Sequence, residues 1–503
     1  MTQLMTLIKA LVYFYTLSLV INILWRFYIG RYTIAQMVEQ QQSIQELEAN
    51  ENHVPCIKII LFLPMLGEQE NVAPLLAAIN ALSFSVDRVL VVPITTEREE
   101  VTQLQKEKAV EALVKDLKAG HRGNVFLWKH SSNFATHRLQ SWAKDFLTKP
   151  QVVENTIKQF IKRPSTKDII EQVIKEIDFR FPILHIHYPN IHGNKASQMN
   201  YALNVLSEQG RITTPDSTYI GVYDADSRPS RLSLIALSIA ANKERSAAFQ
   251  QYPVYLQDTD NLDLFMKNEA WLQTARSVCI EIPRQLQINA ELTQGKRYGR
   301  TFTYCIGHGE FLRADWLLKA GFPESTPIDD LPTGIMLSLA EQKIVPLPFF
   351  DFCSVPNHIF DFIRQSATWF EGQSDYKHPY ERAAIYFSSP AKFRHIRGLF
   401  EQAMANILWA ATGPMRILVL LVTLLTGMWL IAGAIIGFFF LEAWTRWSLT
   451  RLLLDSHLYS DDLPRWPFAL SSVTRPFLKS VGPCLYLLRK LVASETSGYK
   501  TER

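Results

Sequence analysis

Apolar residues are distributed along the chain in three ways: two long runs with at most one charge, several short runs rich in β-branched residues, and stretches with helical spacing. The first long run, Leu4–Trp25, holds Lys9 as its only charge and is followed by Arg26 and Arg31. Its length predicts a membrane-spanning anchor, with Lys9 snorkelling to the interface. A cleavable signal peptide is the rival reading, but bulky Trp25, Phe27 and Tyr28 stand where small residues would mark a cleavage site. Arg26 and Arg31 outweigh Lys9, which puts the following chain in the cytoplasm. Gln36–Glu51 reads as an exposed helix joining this anchor to a domain.

Ile57–Leu63 predicts a buried strand ending at Pro64, followed by the polar loop Gly67–Asn71 and a helix through Ala81. Arg88–Ile94 predicts a second strand, broken at Pro93 and ending in Thr95-Thr96-Glu97. Strand, loop, helix and strand in this order suggest a parallel βαβ unit. Residues 97–180 are charged and helical in pattern, like an insertion. Ile183–His187 is a third strand, the Gly193-Asn194 pair a turn, and Ala196–Leu206 a helix. Tyr219–Tyr223 is a further buried strand, ending in Asp224-Ala225-Asp226. A helix near Leu232–Lys243, a strand near Ala247–Gln251 and an amphipathic helix near Leu262–Val278 come next. Thr301–Ile306 is strand-like and runs into Gly307-His308-Gly309-Glu310. Asp329-Asp330 precedes a helix to Gln342, and Phe360–Phe370 is helical.

Towards the C-terminus, Ile417–Leu441 carries no charge and is long enough to span a bilayer. Leu399–Thr412 is amphipathic and suits the interface, while Arg475–Val492 is too short and basic for a span. The pattern predicts an α/β protein divided into an anchor (1–30), a linker helix (31–54), an α/β domain (55–398, with the 97–180 insertion) and a membrane-associated C-terminal part (399–503).

Composition narrows the classes. The 503 residues are 48% hydrophobic with a net charge of only +4, which argues against nucleic acid as a partner. The five cysteines stand singly (Cys56, Cys279, Cys305, Cys353, Cys484), so neither a disulfide framework nor a zinc site is indicated.

The candidate chemistry centres on Asp224 and Asp226. At the carboxyl end of a strand in an open α/β sheet, two carboxylates face the ligand site, and a hard divalent cation on a substrate diphosphate would relieve their repulsion. The plainer reading is a polar turn that ends the strand. Lys195, at a helix start, could present a cation to a phosphate; a solvated lysine is its plainer reading. Gly307 and Gly309 permit close backbone approach to a ligand, or form a bulge. One of Asp329 and Asp330 suffices to cap a helix, and the helix start should lower the pKa of Asp330. Gln365 and Trp369 share a helix face, where Trp369 is either core or the wall of an acceptor site.

In order and spacing these residues resemble the processive, membrane-bound branch of glycosyltransferase family 2, with its GT-A fold, over roughly Ile57–Gly372. The P-x-x-x-E-x-E-N loop falls on Pro64, Glu68, Glu70 and Asn71. The Lys-Ala segment matches Lys195, Ala196 and Asn200, and the metal-binding D-x-D matches Asp224 and Asp226. The glycine turn followed by arginine matches Gly307, Gly309 and Arg313, and the pair whose second member is the catalytic base matches Asp329 and Asp330. Tyr499–Arg503 resembles the basic tail of such enzymes. Two departures stand out. Glu97, after Thr95-Thr96, is the nearest substitute for the aspartate that holds the nucleotide base. Thr368 occupies the arginine position of Gln-x-x-Arg-Trp, here Gln365–Trp369.

The resemblance implies an inverting transfer from a nucleotide-diphosphate sugar to a glycan or lipid-linked acceptor, at a bacterial inner membrane, with Mg²⁺ or Mn²⁺ held by Asp226 and Asp224. Donor contacts would come from Pro64, Glu68, Glu97, Lys195, Asn200 and Asp224. Acceptor contacts would come from Gly307, His308, Gly309, Gln365 and Trp369, with membrane lipids and export or assembly proteins as further partners. A catalytically weak scaffold, favoured by Thr368, and a non-processive lipid or protein glycosyltransferase are the alternatives.

Overall fold

A computed structural model describes residues 2–49, 56–294, 302–386, 392–453 and 468–492. Eight strands make one mixed sheet: β1 (Lys58–Pro64), β2 (Val89–Thr96), β3 (Ile186–Tyr188), β4 (Thr218–Val222), β5 (Arg228–Pro229), β6 (Ala248–Val254), β7 (Glu310–Arg313) and β8 (Ile344–Phe352). Their order is β3-β2-β1-β4-β7-β6-β8-β5. β1 is parallel to both β2 and β4, and β7 runs antiparallel to β4 and β6. Apart from Lys58, every residue of β1 is buried, because helices cover both faces of the sheet.

On one face, α2 (Val72–Asn80) and, beyond β5, α9 (Ser233–Lys243) pack Leu75, Leu76, Leu234 and Leu237 onto Leu61, Tyr219 and Phe311. On the other, α8 (Lys195–Glu208), α12 (Ala314–Ala320) and α13 (Asp330–Leu339) pack Met199, Leu203, Trp316 and Met336 onto Phe62, Val222 and Leu312. Gly221 lies where the sheet is tightest, since a Cβ there would stand 2.6 Å from the Phe311 ring.

Pro93 does not break β2, contrary to the sequence reading. The Val91 N–H bonds to Pro182 O on the β3 side, and Pro93 faces the same way two residues on. The β3 ladder resumes only at Ile94, so the N–H that proline lacks is not needed there. Thr301–Ile306 is likewise not a strand: Phe302–Ile306 joins no strand of the sheet, and Thr301 lies outside the described residues. The segment lies against α13, where a Cβ on Gly334 would fall 2.0 Å from Tyr304 Cα.

The insertion folds as five helices, α3 (Arg98–Lys118), α4 (Asn124–His130), α5 (Thr136–Asp145), α6 (Pro150–Ile161) and α7 (Thr166–Glu176). Leu113, Leu117, Leu139, Trp142 and Ile157 give it a core of its own. α10 (Leu264–Arg276) continues through a π-turn at Ser277–Glu281 into α11 (Ile282–Thr293), a helix the sequence pattern did not reveal. After β8 come α14 (Ile359–Ser374) and α15 (Lys377–Tyr386).

Residues 2–49 form one helix, α1 (Thr2–Ala49), so the expected anchor and linker are continuous; side chains before Ala10 lie outside the described ones. Its C-terminal part is not simply exposed: Met37, Gln41 and Ile44 are buried. The uncharged run Ile417–Leu441 is not one span either. α16 (Lys392–Leu425) and α17 (Trp429–Leu453) meet within it, at Gly427 with φ +68°. Met428 N bonds to Thr423 O and Gly427 N to Leu424 O, a Schellman C-cap that forces the chain to turn. Two helices, Ile396–Leu425 and Trp429–Leu449, are long and apolar enough to cross a membrane. Leu425 and Leu430 are 85% and 89% exposed, while Ile23 of α1 packs with Met428, Ile431 and Phe438. The last described helix, α18 (Phe468–Val492), is buttressed on α14: a Cβ on Gly482 would stand 2.6 Å from Ser366 Cβ. The Tyr499–Arg503 tail lies outside the described residues.

Candidate active site

The carboxyl ends of β1 and β4 open onto one cavity. Tyr223 N still bonds to Phe62 O, after which Asp224-Ala225-Asp226 leaves the sheet and turns, with Ser227 N on Asp224 O. Asp226 is buried and Asp224 partly exposed. Opposite them, Asn194 and Ser197 cap α8 reciprocally, which fixes Lys195 as its first residue. Lys195 Nζ donates to Asp224 Oδ1 at 2.8 Å and to Gly307 O at 2.5 Å, and lies 3.8 Å from Asp329 Oδ1. Burial opposes its charge, but Asp224 and Asp329 outweigh burial and hold its pKa above the usual lysine value.

The glycine turn is clamped from β6. Gln250 Nε2 donates to His308 O at 3.0 Å, and Gln250 Oε1 accepts from Ile306 N at 2.9 Å. Gly309 has φ +66°, and a Cβ there would meet Gln251 O at 2.6 Å, so glycine is required on both counts. His308 Nδ1 lies 2.7 Å from Asp351 Oδ2, which also accepts from Ser227 Oγ at 2.7 Å. Burial works against the imidazolium, yet the Asp351 carboxylate raises the pKa of His308.

Asp329 stands at the start of α13 without capping it through its side chain, and its Oδ2 is buried without a hydrogen-bond partner. Asp330 Oδ2 accepts from Gly307 N at 2.7 Å and Oδ1 from Leu331 N at 2.8 Å. The helix start does not lower the pKa of Asp330 as expected. Burial and the neighbouring Asp329 push it up to about 6, against the two backbone N–H groups and Lys195. Glu310, under the turn, is fully buried with its pKa raised by burial and by Asp329.

The cavity measures about 630 Å³. Pro64, Glu68, Asp224, Asp226, Lys195, Gly307, His308, Asp329, Asp330, Gln365 and Trp369 all line it, and so does Thr368. Four sequence candidates, Glu97, Asn200, Arg313 and Gly309, do not line it. Glu97 Oε2 is 2.6 Å from His187 Nε2, and Thr95 is occupied by His185 and His187. Asn200 spends its amide on Phe322 and Glu324. Arg313 pairs with Asp315 at 2.6 Å. Gly309 supports the turn from beneath.

Other lining residues escaped the sequence reading. Arg98, from the insertion, reaches Gly193 O at 2.9 Å, and Glu99 Oε1 accepts from Thr166 N, while Thr166 Oγ1 accepts from Glu68 N. Gln273 and Arg276 come from α10, Glu281 from the π-turn, Tyr304 from the segment before the glycine turn, and Trp409 and Lys479 from α16 and α18. A polar cluster within an apolar helical pattern is the one signal that could have marked Gln273 and Arg276.

Among the described residues no three His, Cys, Asp or Glu side chains converge on a point that could hold a metal ion. Asp224 and Asp226 instead bring two carboxylates, hard-oxygen donors, to the wall of one cavity. That fits Mg²⁺ or Mn²⁺, which is commonly held by one or two carboxylates and completed by substrate phosphates.

No family model matches the sequence, and no curated protein does. Among solved structures it is similar to the mannosyltransferase PcManGT from Pyrobaculum calidifontis in complex with GDP-Man and Mn²⁺, at 11% identity and a TM-score of 0.42, over 86% of this chain and 97% of that one. It is also similar to residues 1–349 of TarS from S. aureus with UDP-GlcNAc, at 10% identity and a TM-score of 0.37 over 86% and 92% of the two chains. The same protein with UDP gives 10% identity and a TM-score of 0.36 over 89% and 97%. Likenesses this shallow leave the function to the geometry of the site.

Proposed function

We propose that this chain is a membrane-bound, inverting glycosyltransferase of family 2 and GT-A fold. It would move a sugar from a nucleotide-diphosphate sugar to a hydroxyl of a glycan or lipid-linked acceptor. The observation that carries this reading is Asp330, held by Gly307 N and Leu331 N at the wall of the cavity that Asp224, Asp226 and Lys195 also line. A divalent ion on Asp226 and Asp224 would neutralise charge on the leaving diphosphate. Lys195 provides a fixed cation beside it. Asp330 takes the acceptor hydroxyl proton as the new C–O bond forms at the anomeric carbon and the bond to the diphosphate breaks, so the nucleoside diphosphate departs and configuration inverts. If the two candidate spans cross a bilayer they would hold the domain beside it, on the cytoplasmic side by the charge rule, which would suit a lipid-linked or exported glycan.

The experiment is nucleotide release from a panel of UDP- and GDP-sugars by detergent-purified full-length protein, with and without Mn²⁺ and with Asp226→Asn as control. Metal-dependent release, lost in the variant, supports the reading; no release with any donor and metal overturns it. One observation favours a catalytically weak scaffold: Asp224 already pairs with Lys195 at 2.8 Å. Nucleotide binding without turnover would select that alternative.

A further inference from the structure

Behind the glycine turn runs a buried polar chain that the reaction above does not use. Ser227 Oγ donates to Asp351 Oδ2 at 2.7 Å, and His308 Nδ1 lies 2.7 Å from the same oxygen. We infer that His308 is a further catalytic residue: its Nε2–H binds the β-phosphate of the leaving nucleoside diphosphate, with Asp351 and Ser227 as positioning residues behind it. The inference rests on the glycosyltransferase reading above.

Such a chain is costly as mere packing. Asp351 lies in β8 between Phe350 and Phe352 and is fully buried, as is Ser227. A carboxylate there loses its hydration, so an apolar pair would fill the space at lower cost. His308 is also fixed from two sides. Gln250 holds the turn by donating to His308 O and accepting from Ile306 N, and Asp351 holds the ring. A ring held in this way needs no reorganisation when charge develops beside it.

The ring faces the cavity. His308 lines it although only 6% exposed, whereas Asp351 and Ser227 do not. With Nδ1 turned to Asp351, Nε2 is the polar atom of the ring that remains for a ligand. Lys195 Nζ donates both to Asp224 Oδ1 and to Gly307 O, so the residue next to His308 shares a cation with the D-x-D. Burial opposes charge on the ring, but Asp351, Asp224 and Asp226 outweigh it, and a charged imidazole carries N–H at both nitrogens.

Charge balance then selects the ligand. Asp224 and Asp226 together match the charge of the divalent ion they would hold, which leaves the diphosphate to Lys195. An imidazolium adds a second cation. An acceptor hydroxyl needs the opposite, a group that takes its proton, and Asp330 fills that role from the N–H of Gly307. As the bond from the anomeric carbon to the β-phosphate oxygen breaks, its electron pair stays with that oxygen. Charge grows on the β-phosphate, where a charge-assisted hydrogen bond from Nε2–H strengthens, and the nucleoside diphosphate leaves without taking a proton from the ring.

The test titrates UDP, UMP, GDP and GMP into the full-length protein in detergent with Mn²⁺ present. Only the diphosphates carry a β-phosphate, so for whichever base binds, the ratio of diphosphate to monophosphate affinity isolates the contact. In His308→Asn the amide nitrogen stands in for Nδ1 and keeps Asp351 partnered, while Nε2 is lost. This variant should weaken the diphosphate about tenfold, one charge-assisted hydrogen bond, and leave the monophosphate unchanged. Asp351→Asn should lower the same ratio by no more than that. A merely structural role would not move the ratio, since misfolding removes both nucleotides together. Mn²⁺ binding without nucleotide, followed by electron paramagnetic resonance, should be unaffected in both variants. An unchanged ratio in His308→Asn overturns the inference and returns His308 to the acceptor side expected from the sequence. Loss of Mn²⁺ by His308→Asn, which would make the residue a metal ligand, overturns it too, as does loss of every nucleotide by both variants. A wild type that binds none of the four nucleotides would instead remove the glycosyltransferase reading, and the inference with it.

Discussion

Gly307 donates its backbone N–H to Asp330 Oδ2 at 2.7 Å, tying the start of α13 to the turn before β7. A Cβ at 307 would stand 3.1 Å from that oxygen, so glycine lets backbone and carboxylate meet. The bond lowers the pKa of Asp330 while burial and Asp329 raise it, and the net value of about 6 suits a base that works near neutrality. Asp330→Asn should keep nucleotide binding and lose transfer by about 10²–10⁴-fold. A base acts only when deprotonated, so kcat/KM of the wild type should fall as pH drops through about 6, and this limb should be missing from residual Asp330→Asn activity. Near-normal transfer by the variant would remove Asp330 as the base.

Gly309 is a test of fold rather than chemistry. Its φ of +66° and the 2.6 Å approach to Gln251 O leave no room for a side chain. Gly309→Ala should destabilise the protein by about 2–4 kcal/mol, combining left-handed strain with a clash against backbone. Denaturant titration would read this, and a loss below about 0.5 kcal/mol would mean that the turn is free to relax.

Much of this site could be read from residue order alone. Strand ends are legible because buried strands of a parallel sheet are nearly continuous apolar runs, so Pro64 and Asp224 mark where two such runs stop. What sequence missed depends on contacts between distant segments. The pKa of Asp330 was misread because a helix start is visible in sequence, whereas burial beside Asp329 depends on the Gly307 turn. Asn200 matched a motif, yet its amide is occupied by Phe322 and Glu324, more than a hundred residues away. The break at Gly427 was hidden because glycine within an apolar run is common in membrane helices, and only its positive φ shows the turn.

That break changes the topology to be expected. With α16 and α17 each long enough to cross, Thr426–Met428 should lie on the opposite face of the membrane from the catalytic domain. Single cysteines at 427 and at Arg98, probed in intact cells with a membrane-impermeant maleimide, should label at 427 alone. Labelling of both positions, or of neither, would rule out a hairpin of two crossings.

Thr368 is where the chain departs from the Gln-x-x-Arg-Trp pattern, and the structure sharpens what restoring arginine would do. Thr368 lines the cavity, and its Oγ1 does no more than bond back to Arg364 O at 3.1 Å. Arg364 is no substitute cation: it donates to Ser131 and Trp128 O and lies over the Trp128 ring, fastening α14 to the insertion. A guanidinium at 368 would therefore add a charge to the cavity without displacing an existing ion pair. If a donor diphosphate sits beside Asp224 and Lys195, Thr368→Arg should tighten nucleoside-diphosphate binding, and a charge-assisted hydrogen bond sets the scale at about tenfold. The gain should shrink as salt is raised, because the new contact lies in an open cavity. Calorimetric titration of UDP and GDP into both proteins at low and high ionic strength measures each effect. Unchanged affinity at low salt would show that the diphosphate does not reach position 368, and that Gln365 and Trp369 face the acceptor alone.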